Sequence, residues 1–384
     1  MSPRGVLVLT ALALVPAADA RQPLAKGTWQ RLPSAPPAAA IAYERVGAWT
    51  GTQAIVFGRT GASGTRRNAA FAYAPGTRRW RTLSPPAGPR GTSELEGATA
   101  AVWTGKLLLV RGPATALSYD PATNRWRQLP ASSASPLANA PSGLLVWTGR
   151  EMVTWGGGCC GEASKDGFAY DPATGRWRTL AAAPIGPQQR PVGVWTGREL
   201  IVLPGVDADG HRTGGAAYDP RTDRWRTIAS PPQQRVGSTA IWDGSEVLVV
   251  GGRGPTDAHG LRRLVSVPYA YDPAANRWRR LAALDDGRYG RERMRAVWAG
   301  DRLLLWGGVT QSRGQLVLAP HGLAYDPKSD RWSTLPAAPL DGRLDPFAVW
   351  TGKSLLVWGG DPLREQIPSA DDWWPLVDGA LYTP

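Results

Sequence analysis

The chain has 384 residues, of which 42% are apolar, and this is enough apolar surface for a sizeable core. Its 46 Gly and 35 Pro favour many short strands and turns over long helices. The net charge is +13, but the basic residues are mostly Arg and are scattered, with no nucleic-acid-binding motif beside them, which argues against a nucleic-acid partner.

The first segment, residues 1–20, has the features of a secretory signal peptide. Arg4 supplies a positive charge, residues 6–15 form an apolar run too short to span a bilayer, and Ala20 ends a small-x-small cleavage site. No later stretch is long and apolar enough to be a membrane helix. We therefore expect the mature chain, residues 21–384, to be secreted or held in the cell envelope, with no integral membrane segment.

The next predicted element is a strand over residues 27–33, and it has no partner strand before it. After this strand, an apolar-Trp-x-Gly phrase followed by a second apolar run occurs seven times. A Gly between two β-type runs indicates a hairpin, so each copy predicts two antiparallel strands, a and b. The tryptophans of this phrase are Trp49, Trp103, Trp147, Trp195, Trp242, Trp298 and Trp350.

Each copy is followed by a second phrase, which in five copies reads Tyr-Asp-Pro-x-x-x-Arg-Trp. In the first copy Ala74 replaces the Asp, and the last copy reads Tyr-Thr-Pro. Asp-Pro initiates turns, so strand c should end at the Tyr and strand d should begin at the Trp. A residue suited to left-handed backbone closes five of these turns, at Asn124, Gly175, Asp223, Asn276 and Asp330. Seven repeats have strands a, b and c, but only six are followed by a strand d.

The missing strand d is the isolated one at residues 27–33, which contains Trp29. The last repeat ends at "GALYTP", directly after its strand c. Pairing these two segments completes a seventh four-stranded sheet and closes a ring, which removes the exposed edge of an open array. The sequence therefore predicts an all-β, seven-bladed β-propeller over residues 21–384.

Four-stranded repeats with Gly-Gly after strand b and a spaced Tyr and Trp resemble kelch repeats, as found in galactose-oxidase-like propellers. Gly-Gly stands after strand b in four repeats, at 156–157, 251–252, 307–308 and 359–360, and three repeats depart from it. We expect seventeen of the 19 Trp to be core residues, since they recur in register. Strand connectivity places the long b–c and d–a connections on one face of the ring, where recognition residues usually lie.

Arginines recur just before strand a, and the resemblance implies that they form a basic rim at the mouth of the central channel. They are candidates for binding a carboxylated sugar or an acidic peptide, because Arg matches carboxylate geometry. The alternative is that they cap loop carbonyls. The residues are Arg45, Arg190, Arg235, Arg293, Arg295 and Arg343.

Two further features stand out in the long connections. Trp373 and Trp374 are candidates for a sugar-stacking or partner-binding platform, although they can equally cover the ring closure. Cys159 and Cys160 are the only cysteines, and in an exported protein we expect them to form a vicinal disulfide. The alternatives are bridges to another chain or free thiols.

The sequence contains no clear catalytic or metal signature. His211, His259 and His321 all fall in b–c connections, but their spacing fits no metal motif. We therefore predict no metal site, no cofactor and no catalytic residue, and a binding scaffold for a carbohydrate or a protein rather than an enzyme.

Two enzyme alternatives stay open because the fold serves many functions. A sialic-acid mutarotase type would combine the arginines with a carboxylate such as Glu96, Glu162 or Glu292. Those enzymes have six blades, whereas this chain predicts seven. A copper oxidase of the galactose oxidase type would need a Cys, two His and tyrosines such as Tyr43 and Tyr289, which no motif brings together.

Overall fold

The computed structural model describes residues 25–36, 41–60, 67–84, 100–112, 116–130, 142–158, 161–256, 262–284, 290–312, 315–319, 321–363 and 375–384, with the backbone alone at 41–44. These residues form 32 β-strands and no α-helix. The part of the chain described thus holds no helix with the length and apolarity needed to cross a bilayer. Residues 1–24 lie outside it, so the signal peptide stays a prediction.

The strands are named here by blade, in chain order. The first strand is β1 (Thr28–Arg31), followed by blade 1, β2 (Ile41–Trp49), β3 (Ala54–Thr60), β4 (Arg67–Ala74) and β5 (Arg79–Leu83); blade 2, β6 (Ala100–Trp103), β7 (Leu108–Arg111), β8 (Ala116–Asp120) and β9 (Arg125–Gln128); and blade 3, β10 (Leu144–Trp147), β11 (Met152–Gly157), β12 (Ser164–Asp171) and β13 (Arg176–Thr179). Blade 4 consists of β14 (Gly193–Trp195), β15 (Leu200–Val202), β16 (Ala216–Asp219) and β17 (Arg224–Thr227), and blade 5 of β18 (Thr239–Trp242), β19 (Val247–Val250), β22 (Tyr269–Asp272) and β23 (Arg277–Arg280), with a side hairpin of β20 (Arg253–Thr256) and β21 (Arg262–Leu264). Blade 6 consists of β24 (Arg295–Trp298), β25 (Leu303–Trp306), β28 (Leu323–Asp326) and β29 (Arg331–Thr334), with a side hairpin of β26 (Val309–Ser312) and β27 (Gln315–Leu318), and blade 7 contains β30 (Phe347–Trp350), β31 (Leu355–Trp358) and β32 (Gly379–Thr383).

The predicted seven-bladed propeller is confirmed. Each of blades 1 to 6 is a four-stranded antiparallel sheet whose main strands follow chain order. The seventh sheet has the order β1-β32-β31-β30, and Trp29 of β1 lies opposite Tyr382 of β32. Each first strand contacts the first strands of both neighbouring blades, and β30 contacts β2, which closes the ring.

The connections between strands lie on two opposite faces of the molecule. Hairpin turns between the first and second strands, and between the third and fourth, lie on one face, which we call the short-turn face. The Gly of each first hairpin has φ between +87° and +106°, as in Gly51 and Gly300, a conformation that favours glycine. The other connections, with both side hairpins, lie on the opposite, long-loop face.

The apolar core lies between adjacent blades. Ile55 and Phe57 of blade 1, for example, share one buried cluster with Leu108 and Val110 of blade 2. Of the predicted core tryptophans, Trp155, Trp306, Trp358 and Trp332 are buried. The other thirteen are only partly buried, because they lie at strand ends next to the short turns.

The fourth-strand tryptophans connect each blade to the one before it. Each indole packs on the Tyr opposite it, as in the 4.9 Å ring separation of Trp225 and Tyr218. Its Nε1–H donates to a carbonyl that follows the fourth strand of the preceding blade, at 2.7–3.0 Å in all seven blades. The residues are Trp29, Trp80, Trp126, Trp177, Trp225, Trp278 and Trp332.

A second link, which we call the Tyr clasp, uses the residue that closes the third turn. The five turn residues predicted to be left-handed all have φ between +49° and +68°. In blade 4, Asp223 accepts a hydrogen bond from the Tyr218 hydroxyl at 2.6 Å and from the Ala181 amide of blade 3 at 3.2 Å. Blades 2, 5 and 6 form the same clasp with Asn124, Asn276 and Asp330.

Candidate functional site at the channel mouth

The six predicted arginines lie on the long-loop face, at or before the first strand of a blade. Because these strands surround the ring axis, their starts form the mouth of the central channel. The structure separates the arginines into three groups. Two are buried within a blade, three meet in one cluster, and one is exposed on its own.

Arg235 and Arg343 are buried, with 8% and 0% of their surface exposed. The Arg235 guanidinium donates to the carbonyls of Gly251 and Val267 at 3.4 and 2.9 Å. Arg343 donates to the Gly359 carbonyl at 3.2 Å and to the Asp378 carboxylate at 2.7 Å. Both arginines therefore tie their loop to carbonyls of their own blade, as in the carbonyl-capping alternative.

Two residues with the same spacing to the first-strand Trp support this structural role. Arg235 and Arg343 each lie seven positions before that Trp, as do Gln188 and Arg291 in blades 4 and 6. Gln188 donates to Leu203 and Gly214 carbonyls at 3.1 and 3.2 Å, and Arg291 to the His321 carbonyl at 3.0 Å. Burial lowers the pKa of Arg235 to about 10, which still leaves it charged at neutral pH.

Arg45, Arg293 and Arg295 meet two carboxylates, Asp345 and Asp361, in what we call the channel-mouth cluster. Arg45 of blade 1 pairs with Asp361 of blade 7. Arg293 of blade 6 pairs with Asp345 of blade 7 at 2.7 Å, and its Nη2 lies 3.9 Å from Asp361. Arg295 lies 3.7 Å from Asp345. Three neighbouring blades thus contribute to one charged site.

Backbone conformation and backbone hydrogen bonds position Arg293, Asp345 and Asp361 within this cluster. Arg293 and Asp345 both lie five positions before a first-strand Trp, and both have left-handed φ, 56° and 43°. The Asp345 amide donates to the Arg293 carbonyl at 2.9 Å, which holds the two loops together. Asp361 is fixed by backbone hydrogen bonds with Leu344, at 2.8 and 2.9 Å. Left-handed backbone at residues other than Gly or Asn often marks functional positions.

The cluster grades from buried to exposed. The side chains of Arg45 and Asp361 are 6% and 18% exposed, whereas those of Arg293 and Arg295 are 48% and 46% exposed. Burial raises the pKa of Asp361, an effect that Arg45 opposes and that the Asp345 charge increases. The arrangement can therefore present fixed guanidinium groups to an anion beside a carboxyl that holds its proton more readily than usual.

The other predicted site residues are Arg190, the two cysteines and the pair Trp373 and Trp374. Arg190 is exposed on the long-loop face. Cys159, Cys160, Trp373 and Trp374 lie outside the described residues, so the vicinal disulfide and the Trp platform stay predictions.

Among the described residues, the groups named for the enzyme alternatives have other partners or are exposed. Glu292 pairs with Arg253 at 2.5 Å, and Glu162 is exposed. His211 pairs with Asp207 at 3.2 Å, in a loop where Asp209 offers a further oxygen within 4.8 Å of both. Exposed carboxylates often lie close together without a metal. The other candidates, Glu96, His259 and Tyr289, and the side chain of Tyr43, lie outside the part described.

Sequence reasoning missed Asp345 and Asp361, the two acceptors of the cluster. Asp361 directly follows Gly359-Gly360, and it is the one Asp at that position of a Gly-Gly phrase. Asp345 has the same spacing to its Trp as Arg293 and Arg190. Aligning the loops on the first-strand Trp would have placed Arg293 and Asp345 at equivalent positions of adjacent blades.

Comparison with known proteins supports the fold alone. No protein-family model matches the chain, and no curated protein matches it. Among solved structures, the structure of YjhT aligns with 76% of this chain and 96% of that chain, with a TM-score of 0.55 and 16% identity. Because 722 solved chains match, the fold is widely shared and selects no single activity. The chain is therefore a seven-bladed β-propeller, similar in fold to YjhT.

Proposed function

We propose that this protein is an exported kelch-type propeller that binds a carbohydrate or protein partner through its long-loop face. The observation that carries the proposal is the channel-mouth cluster, where arginines of blades 1 and 6 meet two carboxylates of blade 7. Binding residues commonly lie on loops that a rigid scaffold positions. The ligand is a carboxylate-bearing sugar or an acidic peptide.

Charge supports an anionic ligand. The cluster contains three guanidinium groups and two carboxyl groups, so it is positive overall. Arg293 and Arg295 are about half exposed, and each keeps N–H donors beyond those used within the cluster. Their ion pairs and the Arg295–Pro346 hydrogen bond of 3.1 Å orient these donors before a ligand arrives.

A ligand panel tests the proposal. Sialic acid, glucuronic acid and neutral hexoses are added to the protein, and thermal unfolding is measured. A ligand at about a hundred times its dissociation constant adds about 2.7 kcal/mol to the free energy of unfolding. We expect a rise in Tm with acidic sugars alone.

Matched variants locate the site. Arg295→Ala should weaken acidic-sugar binding about tenfold, as expected for the loss of one charge-assisted hydrogen bond. Arg190→Ala, which removes an exposed Arg of the same face outside the cluster, should leave binding unchanged. Equal responses to neutral and acidic sugars, or equal losses in both variants, would contradict an anion site at the cluster. A flat panel followed by binding of acidic peptides would select the protein partner.

One observation favours an enzyme of the sialic-acid mutarotase type as a second candidate. Asp361 is a partly buried carboxyl whose pKa is raised by burial, and it lies beside Arg45 and Arg293, so a group that can exchange protons lies next to groups that can hold a sugar carboxylate. This function predicts faster anomer interconversion of an acidic sugar, followed by NMR, and its loss in Asp361→Asn. No observation on the described residues favours the copper oxidase.

A further inference from the structure

The short-turn face carries a repeated Arg–Glu pair at three junctions between blades. In each pair, the Arg that follows the fourth-strand Trp donates hydrogen bonds from Nε and Nη2 to the carboxylate of the Glu in the first hairpin of the same blade. The Nη2–Oε2 distances are 2.6–2.7 Å in all three. The pairs are Arg178–Glu151 in blade 3, Arg226–Glu199 in blade 4 and Arg279–Glu246 in blade 5.

The same arginines also reach the next blade. Arg178 donates from Nη1 to the Tyr218 hydroxyl at 2.9 Å, and Arg226 donates to the Tyr271 hydroxyl at 3.3 Å. Each guanidinium therefore lies at a blade junction, where a carboxylate occupies one side of its fork and a Tyr the other. At these junctions the protein itself shows which ligand this Arg position takes, namely a glutamate side chain.

Blades 1 and 2 keep the Arg but lack the Glu. Arg81 and Arg127 follow the fourth-strand tryptophans, while Gln53 and Leu107 stand at the hairpin position that Glu occupies in blades 3 to 5. Arg81 still acts on the Tyr of the next blade, since burial raises the pKa of the Tyr119 hydroxyl and the Arg81 charge opposes that shift. Within the described residues, no carboxylate forms an ion pair with Arg81 or Arg127. Both arginines are exposed.

The surroundings of this junction are strongly basic. Lys106 is exposed in the first hairpin of blade 2, on the same face. Arg78, Arg79 and Arg125 are exposed in the adjoining strands and turns. Asp120 is the one acidic residue of residues 41–130 whose side chain the structure describes, and its Oδ1 accepts the Ala122 amide.

We infer that the junction of blades 1 and 2, on the short-turn face, binds an acidic segment of a partner protein. A Glu side chain of that segment pairs with Arg81, for which blade 1 supplies the uncharged Gln53 where blades 3 to 5 supply a Glu. The equivalent junction of blades 4 and 5 is an open groove of about 770 Å³. Because this Arg position takes a single Glu side chain in blades 3 to 5, the partner is a peptide segment rather than an anionic membrane.

Placing a carboxylate of the chain itself beside Arg81, by Gln53→Glu, tests the inference. A fluorescein-labelled hexaglutamate peptide serves as probe, and its anisotropy is measured with the full chain at several salt concentrations. Gln53→Glu gives Arg81 the partner found in blades 3 to 5, so it should weaken binding at least about tenfold, the loss expected for one charge-assisted pair. Because it restores an ion pair, it should leave Tm unchanged or higher.

Thr52→Glu is the matched control, since it adds the same charge at the neighbouring exposed turn position. It should weaken binding at least fivefold less than Gln53→Glu does. Equal weakening in both variants, or no binding of hexaglutamate, would overturn the inference. So would tighter binding of anionic vesicles or of polygalacturonate than of the peptide.

Arg295→Ala separates this inference from the proposed function. The variant alters the channel-mouth cluster on the opposite face and should leave hexaglutamate binding intact. Loss of hexaglutamate binding in Arg295→Ala would assign the peptide to the channel mouth and overturn the second surface. Failure of the acidic-sugar panel, in contrast, would leave the result with Gln53→Glu unaffected.

Discussion

Replacing Asp223 tests how one blade holds the next. Its Oδ1 accepts hydrogen bonds from the Tyr218 hydroxyl at 2.6 Å, the Ala181 amide at 3.2 Å and Arg178 Nη1 at 3.2 Å. Its backbone is left-handed, with φ of 51°. Asp223→Ala removes all three hydrogen bonds. It also places Ala in the left-handed conformation, with no side-chain oxygen to stabilise it.

The two effects have separate magnitudes. The bonds from Tyr218 and Ala181 each contribute about 1 kcal/mol net, and left-handed backbone costs Ala about 1 kcal/mol more than Gly. We expect Asp223→Ala to lower the free energy of unfolding by about 3 kcal/mol, and Asp223→Gly by about 2 kcal/mol. Asp223→Asn keeps a carbonyl acceptor and should cost under about 1 kcal/mol, as the Asn at positions 124 and 276 indicates.

Urea unfolding of the full chain, followed by Trp fluorescence and by far-UV circular dichroism, measures these differences. Coincident transitions by both probes are needed for the comparison. If Asp223→Asn were as destabilising as Asp223→Ala, the acceptor would not be the source of the stability. If the Gly and Ala variants were equal, the backbone contribution would be refuted.

The same site predicts a pH dependence. Burial opposes the charged form of Asp223, but hydrogen bonds from Tyr218 and Ala181 and the charge of Arg178 together lower its pKa. A carboxyl with a lowered folded-state pKa stabilises above its unfolded pKa and loses this contribution as pH falls through the folded value. The stability difference between wild type and Asp223→Asn should therefore shrink below about pH 4, near the ordinary pKa of Asp.

Three further substitutions test other parts of the framework by urea unfolding. Arg343→Leu removes the hydrogen bonds to the Gly359 carbonyl and to the partly exposed Asp378 carboxylate, and it should cost about 2–4 kcal/mol; a stable variant with weakened ligand binding would instead make Arg343 a ligand contact. Gly244→Ala should cost about 1–2 kcal/mol from its φ of +106° alone, since open space surrounds it, whereas Gly76→Ala should be neutral. Trp332→Phe should cost about 1 kcal/mol for its indole hydrogen bond, and no loss would show that bond to be unimportant.

The fold was predictable because its determinants are local and repeated. Gly51 and its six equivalents mark the first hairpin, and Asn124 or Asp223 marks the third turn, so each blade specifies itself within about fifty residues. The repeat also predicted the ring closure, because Trp29 marks residues 27–33 as the fourth strand that the last blade lacks. Burial was less predictable, since a Trp at a strand end, such as Trp195, has the same sequence pattern whether it is covered or half exposed.

The channel-mouth cluster could not be read from local sequence. Arg45 and Asp361 are 316 positions apart and meet only because blade 1 follows blade 7 around the ring. In the structure, the number of residues between an Arg and its first-strand Trp distinguishes the buried arginines from those of the cluster. Arg343, seven positions before its Trp, lies inside a blade, whereas Arg293, five positions before, reaches the channel mouth.

The pairing of β1 with β32 also sets the order in which this protein can fold. During synthesis β1 is made before any blade, while its partner β32 is made after all the strands of blades 1 to 6. Blades 1 to 6 each draw their strands from one continuous segment and can assemble as that segment appears. The seventh sheet cannot begin to include β1 until about 350 further residues have been added. Ring closure is therefore the late step of folding, and β1 needs protection from other partners until then.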